Sequence, residues 1–589
     1  MTGTSNAKMV TKLLFRLLPI QILLAAVGAI NGIVSSYFAS NYVGVDAMTA
    51  VGLYSPLNMM ITSVSTVLVG GSAILCGKYM GRSEQDRMQN VFSLDLVLSA
   101  VVAGVFTLLY ALVSLLDLSG FLTKDAAVRG IFNRYMLGQV LGIVPLVFSS
   151  SFSAFLAIEN KQGRTTAASL IYIAVNVALN FLFVQVLHME AFGLALASSL
   201  GMWVFLLVQM QVFWSGKTHL RLRLGKLIWS EAGQIIRIGI PGAASYIYQT
   251  LRGLIVNRLM DAYVGSVGIS AFATANNFLG IIWAIPGGML AVSRLMISVS
   301  IGEEDRQTLT DVMRVMFKRF LPLMGVVCAA IILSAVPITR AFYRDSTQTV
   351  FMMTVWGLRI LPLCMPLSII LMHFICYGQV SGKQGLVHVL ALLDGVVCVA
   401  GFTALLIGLL GVKSVYIANV LNGVVTTVVI VGYAWLKNRH FPRNMSELMV
   451  IPESFGVPEN ERMDISICSM EEVVSISRQI QAFCLEKGID RRRAYLAGLS
   501  MEEMAGNIVD HGYTKDKKKH SIDVRVVRKD DDLILRIKDD CVPFDPGERQ
   551  QLAQGDDISK NIGIRMVFKI ARDVQYQNIL GLNVLTIRI

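Results

Sequence analysis

The chain has 589 residues, 54% hydrophobic and only 16% charged, with a mean hydropathy of +0.60. A soluble domain carries about 25% charged residues, so most of this chain must face lipid. The net charge of +12 is uneven: residues 1–450 hold 31 basic and 17 acidic residues, whereas residues 451–589 hold 21 and 23.

The basic excess therefore sits in the apolar part, where loops on the cytoplasmic side of a membrane explain it better than nucleic-acid binding. A span needs about 20 apolar residues. Twelve are predicted: 13–38, 50–77, 91–116, 130–157, 165–187, 191–214, 235–260, 268–299, 319–337, 350–377, 386–410 and 412–436. No trusted cleavage site follows the first of them, so no cleaved leader is expected. The eight cysteines form no CxxC pair and imply neither disulfides nor zinc.

A long stretch recurs. Tyr42-Val43-Gly44 returns as Tyr263-Val264-Gly265, Gly81 as Gly302 and Pro145 as Pro366, all at an offset of 221 residues. Lys161-Gln162-Gly163 returns one residue later still, as Lys383-Gln384-Gly385. Collinear matches over about 120 residues point to a duplication, and repeated apolar halves are the mark of a two-bundle transporter. Lys8, Lys12, Arg16, Lys78, Arg82, Arg87, Lys161, Arg164 and the cluster from Lys217 to Arg237 fall on one side of alternating spans, with Lys437, Arg439 and Arg443. The positive-inside rule then places both termini in the cytoplasm.

Charged residues within spans are functional candidates. Asp95, in the third span, either reaches water at the helix end or acts in the interior. Asp394, in the eleventh, either binds a cation or proton in a central cavity or serves packing. Arg252 and Arg359 are candidates to pair with an acid or attract an anion, and Arg294 is expected to snorkel toward a span end. Asn176, Asn180 and Gln249 supply neutral hydrogen-bonding groups, used either on a path or between helices. Pro145, Pro241, Pro286 and Pro366 mark expected bends.

Residues 1–440 resemble the MATE (multidrug and toxic compound extrusion) transporters. The resemblance rests on twelve spans in two halves, the 44–51 turn with Ala47 and Ala50, the Gly81 loop, the Gly163 turn, and Asn176 and Asn180 followed by Gly193-Leu194-Ala195-Leu196-Ala197. It implies an antiporter that exports small organic compounds by alternating access, driven by Na⁺ or H⁺. Many members carry a coupling Asp in the first span; here Ser35 stands at the matching place.

Beyond His440-Phe441-Pro442-Arg443 the pattern becomes that of a soluble domain. Helices are predicted over 470–486, 495–511 and 562–573, a hairpin over 521–538 and a last strand over 583–589. Glu503-Met504-Ala505-Gly506-Asn507, Asp539-Asp540-Cys541-Val542-Pro543-Phe544-Asp545-Pro546 and Asn561-Ile562-Gly563 resemble three motifs of GHKL-type ATPases, of the anti-sigma-factor serine kinase branch. By that resemblance Asn507 holds Mg²⁺ and Glu503 is the catalytic base. Asp539 binds adenine, while Asn561 and Gly563 meet the phosphates of ATP. Two departures stand out: Cys541 replaces the glycine of Asp-x-Gly, and Asn561 the first glycine of Gly-x-Gly.

The expected architecture is an all-α polytopic membrane protein of two six-helix repeats (1–220 and 221–440), a linker (441–460) and a cytosolic GHKL-type α+β sandwich domain (461–589). It is placed in the inner (plasma) membrane. The expected function is ion-driven export regulated by a tail that binds ATP or a cytosolic partner protein. The alternative is a membrane-anchored signalling protein in which the tail is a serine kinase or anti-sigma-type module and the transporter half a sensor. ATPase or kinase activity and homodimerisation through the tail stay open.

Overall fold

The computed structural model describes residues 3–38, 45–82, 84–121, 126–215, 218, 220–223, 225, 227–342, 349–467, 469–512, 522–529, 532–542, 545–547, 562–579 and 582–589. The repeat anchor 42–44, the lysine run 515–519 and Asn561 lie outside them.

The first repeat comprises α1 (Gly3–Phe38), α2 (Val45–Gly81), α3 (Gln85–Leu115), α4 (Ala126–Ile158), α5 (Gln162–Asn180) and α6 (Glu190–Trp214). The second opens with α7 (Ser230–Tyr263), α8 (Ser266–Ile282), α9 (Ala284–Gly302), α10 (Arg306–Val315), α11 (Leu321–Leu333) and α12 (Ala335–Phe342). It closes with α13 (Thr349–Ile360), α14 (Cys364–Ser381), α15 (Gln384–Leu392), α16 (Cys398–Leu410) and α17 (Lys413–Asn438). Several pairs continue one another through a π-turn or short 3₁₀ turn, so the rods number twelve. Ten of these rods are long and apolar enough to cross a membrane among the described residues. α1 and α7 occupy the other two expected positions.

Two of the four expected proline bends are real. The eighth rod breaks at Trp283, between α8 and α9, because Pro286 has no N–H to donate to the Ile282 carbonyl. The tenth breaks at Leu361–Leu363, just before Pro366. Pro145 and Pro241 lie inside unbroken α4 and α7.

The repeat-related glycines meet. A Cβ on Gly81 would fall on the Val299 carbonyl, and one on Gly302 would fall on the Lys78 carbonyl. The ends of α2 and α9 thus approach through bare backbone, which only glycine permits. The loop joining the repeats is pinned beside this contact: Asn90 Oδ1 accepts from the Ile228 N–H at 2.8 Å, and Asn90 Nδ2 donates to Glu231 at 2.6 Å. These bonds fasten the loop to α3.

After α18 (Met445–Leu448) the soluble unit begins with β1 (Arg462–Ile467), α19 (Met470–Glu486) and α20 (Arg491–Gly512). There follow β2 (Ile522–Lys529), β3 (Asp532–Asp539), α21 (Ile562–Ile570), β4 (Asp573–Ile579) and β5 (Leu582–Arg588). Ser469 caps α19 by accepting from the Glu472 N–H. The sheet order is β1-β2-β3-β5-β4, every pairing antiparallel. Alternation sends Ile522, Val524, Val526, Leu533, Leu535 and Ile537 to one face, where they are buried with Ile476, Ile480, Ala497 and Met501 of the helices.

Two strands escape the sequence reading. The helix predicted to reach 573 ends at Ile570, because the Arg572 N–H donates to the Arg588 carbonyl and draws the chain into β4. β4 is rich in polar residues, and β1 is an edge strand. β1 does alternate, Met463, Ile465 and Ile467 against Arg462, Asp464 and Ser466, a short signal that the sequence reading passed over, whereas β4 offers only Val574 and Tyr576 among polar residues.

Candidate functional site

A chamber of about 650 Å³ opens between the first repeat and α9. Residues of α1, α2, α4, α5, α6 and α9 line it, mostly apolar, with Gln21, Gln162, Thr165 and Arg294 among the polar ones. Arg294 is thus not a snorkelling residue, as the sequence suggested; its side chain borders the chamber.

The intramembrane acids lie apart from each other. Asp95 is fully buried in α3, and Ser72 of α2 donates to its Oδ1 at 2.7 Å. Its Oδ2 has no partner among the described residues. The reading in which Asp95 merely reaches water does not hold. Asp394 sits in the π-turn Leu393–Val397, accepting from Asn422 Nδ2 at 2.8 Å, while Arg252 donates to its backbone carbonyl at 3.2 Å. The eleventh, twelfth and seventh rods are tied together there.

Other candidates disperse. Asn180 Nδ2 donates to Asn176 Oδ1 at 2.8 Å one turn earlier on α5, and Asn176 Nδ2 reaches Ser198 of α6 at 3.5 Å; both asparagines are fully buried, and the second contact links the two helices. Gln249 and Arg359 are exposed and join no cluster. Ser35 is on α1, and its side chain lies outside the described part.

In the tail, Glu503 and Asn507 stand one turn apart on α20, both half-buried. Asp539 ends β3 and is buried, accepting from Asn583 Nδ2 at 2.8 Å and from the Cys541 N–H at 2.9 Å. The Cys541 thiol bonds it too. Burial raises the Asp539 carboxyl above its usual range, although these bonds oppose the shift. A Cβ on Gly563 would fall on the Glu503 carboxylate, which therefore takes the place at the start of α21 that a phosphate would use. Among the described residues, the Glu503 carboxylate therefore lies against Gly563, and Cys541 stands beside Asp539. Asn583, tied to Tyr576 at 2.7 Å and Asn578 at 2.9 Å, is a pocket residue that no sequence motif revealed.

The outer face of the sheet is not free. Asp305 caps α10 and meets Arg525 of β2 at 2.5 Å, and Glu303 meets Lys538 of β3 at 2.7 Å. Glu303 and Asp305 are nearly fully buried. Burial opposes ionisation of Asp305, but the Arg525 and Lys538 charges outweigh it and hold its carboxyl well below the usual range. Lys12 of α1 reaches Asp540, and Asn160, just past α4, donates to Asn578 at 2.9 Å. Leu582 and Val584 are buried in the same apolar cluster as Met449, Ile451 and the bundle. Both repeats therefore touch the tail.

Fold and site together define a polytopic membrane bundle of two related halves with an ATPase-like domain docked on one end. Residues 22–182 match the MatE family model and residues 469–589 that of the histidine kinase-like ATPase domain. The chain joins a MATE-family membrane domain to a histidine kinase-like ATPase domain.

It is 24% identical over 267 residues to the probable multidrug resistance protein NorM of Streptococcus pneumoniae R6, covering 43% of this chain and 56% of that protein. It is also 24% identical over 311 residues to the probable multidrug resistance protein YoeA of Bacillus subtilis 168, covering 50% and 64%. The chain thus spans between half and two thirds of the length of these relatives. A crystal structure of MATE in complex with MaL6 superposes with a TM-score of 0.68 at 21% identity, covering 76% of this chain and 99% of that one. A MOP superfamily transporter from Pyrococcus furiosus, described as having reverse polarity of its binding pocket, gives 0.67 at 20%, with the same coverage.

Proposed function

We propose that this protein exports small organic compounds by alternating access, driven by an ion gradient, with the tail acting as a docked regulator. The observation that carries the reading is the chamber walled by five helices of one repeat and one of the other. Relatives named as multidrug resistance proteins support efflux. In this reading residues 1–220 and 221–440 are the two repeats, 441–460 the linker and 461–589 the tail. The tail and both termini lie in the cytoplasm.

Asp95 is the better candidate for the coupling ion, Na⁺ or H⁺. Its carboxylate is buried with only the hydroxyls of Ser72 and Ser151 near it, whereas Asp394 has Asn422 and Arg252 beside it. An intramembrane carboxylate without a cation is costly unless it binds one or takes a proton.

Regulation follows from the tail's contacts. Halves that move relative to each other at this end must break or shift bonds made to both of them. A partner protein, or nucleotide that displaces Cys541 and Glu503, would bias that movement. The serine-kinase alternative is less well supported, because Cys541 and Asn561 replace two glycines of the nucleotide-binding motifs.

The test is flux through the full chain in proteoliposomes under imposed Na⁺ or pH gradients, with a panel of anionic, neutral and cationic dyes. Gradient-dependent flux that Asp95→Asn abolishes supports the reading. Absence of flux for every dye by folded protein sinks it.

A further inference from the structure

The chamber's charge is one-sided. Arg294, on α9, is the one ionisable side chain among its described lining residues apart from Tyr172, and none of those residues is a carboxylate. Asp95 points at Ser72, and Asp394 is bonded in the second repeat to Asn422. No salt bridge forms to Arg294 among the described residues. Its guanidinium rests against the Cys376 thiol, a weak acceptor.

Three polar atoms of this wall are buried without a hydrogen-bond partner: Arg294 Nε, Gln162 Oε1 and Thr165 Oγ1. Buried polar groups of native proteins are nearly all bonded, and Arg294, half-buried on this wall, has no carboxylate paired with it among the described residues. All three belong to residues that border the chamber, so a small shift of these side chains toward a molecule inside it would give them partners. The remainder of the lining, including Leu17, Leu146 and Phe205, is apolar. A volume of about 650 Å³ falls within the range that holds drug-sized molecules.

We propose that the chamber takes organic anions, an apolar body carrying a carboxylate or sulfonate that Arg294 pairs with, and that it discriminates against the organic cations. Arg294 is then the residue that sets substrate charge. Guanidinium presents paired N–H donors that match a carboxylate in geometry as well as sign. Gln162 and Thr165 bond polar groups elsewhere on the same molecule. A cation entering would meet the Arg294 charge across a low-dielectric space with no acid to offset it. This inference rests on the transport reading and adds the class of substrate.

Fluorescein and rhodamine 123 share one ring scaffold and differ in charge sign, so they isolate this effect. Their binding to the full chain in nanodiscs at pH 8 is read by fluorescence anisotropy. Wild-type protein is expected to bind fluorescein about tenfold or more tightly than rhodamine 123, the ratio for one charge contact of about 1.4 kcal/mol. Arg294→Gln should erase the preference by weakening fluorescein, while Arg294→Lys should keep it in reduced form. The Lys variant keeps the charge and serves as the control should the Gln variant fold poorly. Equal affinities, or tighter rhodamine 123, overturn the charge assignment and leave the transport reading standing. Binding of neither dye overturns both.

Discussion

Asp305, the N-cap of α10, and Arg525, in the middle of β2, are 220 residues apart in the chain and 2.5 Å apart in space. Arg525 is shared, for Asp464 of β1 contacts it from the other side at the same distance. Buried ion pairs are weak evidence for stability, yet removing one partner leaves a charge stranded. Arg525→Ala removes the direct partner of the nearly fully buried Asp305, while Asp464 keeps Arg462 at 3.3 Å, and breaking such a buried pair costs about 3–5 kcal/mol. The expected result is release of the tail, seen as rapid proteolysis within 441–460 while the bundle stays folded. A tail that remains protected would show that apolar contacts at Leu582 and Val584 suffice.

The pH dependence of docking has a defined sign. The folded pKa of Asp305 is depressed, so its stabilisation is fully present above the unfolded value of 3.8 and is lost as pH falls through the folded one. The stability difference between wild type and Asp305→Asn should stay constant from pH 7 to about 4 and shrink only below that. Chemical denaturation at stepped pH measures it. A difference that already shrinks between pH 6 and 5 would contradict the assignment.

Cys541 puts a buried side chain beside Asp539, which accepts from its N–H at 2.9 Å, where the family motif has a glycine. Cys541→Gly removes the thiol and gives the floor of the pocket back its space. Mg²⁺-ATP binding to the full chain, measured by calorimetry, should be at least tenfold tighter in this variant. Adding Asn507→Ala should cancel the gain. Equal affinity with and without Cys541 would place the obstacle at Glu503 instead.

Gly302 allows α9 to close onto α2, and a methyl there meets the Lys78 carbonyl. Overpacking of this kind costs about 1–3 kcal/mol. Gly302→Ala should therefore disfavour the state closed at this end. Spin labels on Arg82 and Glu304 should report a longer mean distance and a broader distribution. An unchanged distribution, at unchanged thermal stability, would mean the contact yields elsewhere.

Much of this protein is determined by patterns that act over short range. Twelve rods, two repeats, α19, α20 and the β2–β3 hairpin are legible because lipid or a core imposes a period on consecutive residues. The ATPase-type motifs are legible for the same reason, since Glu503 and Asn507 share one helical turn. What only the tertiary structure decided depends on residues that have no local signal. β4 looks polar until β5 pairs with it, and Asn583 gains meaning only beside Asp539. Asp95 looked like an end residue until Ser72 closed over it, and Arg294 like a snorkelling one until α9 was set against the first repeat. Asp305 and Arg525 are ordinary surface charges in the sequence. Their burial is a property of two surfaces meeting, and a chain of side-chain types does not encode which surfaces meet until the whole chain has packed.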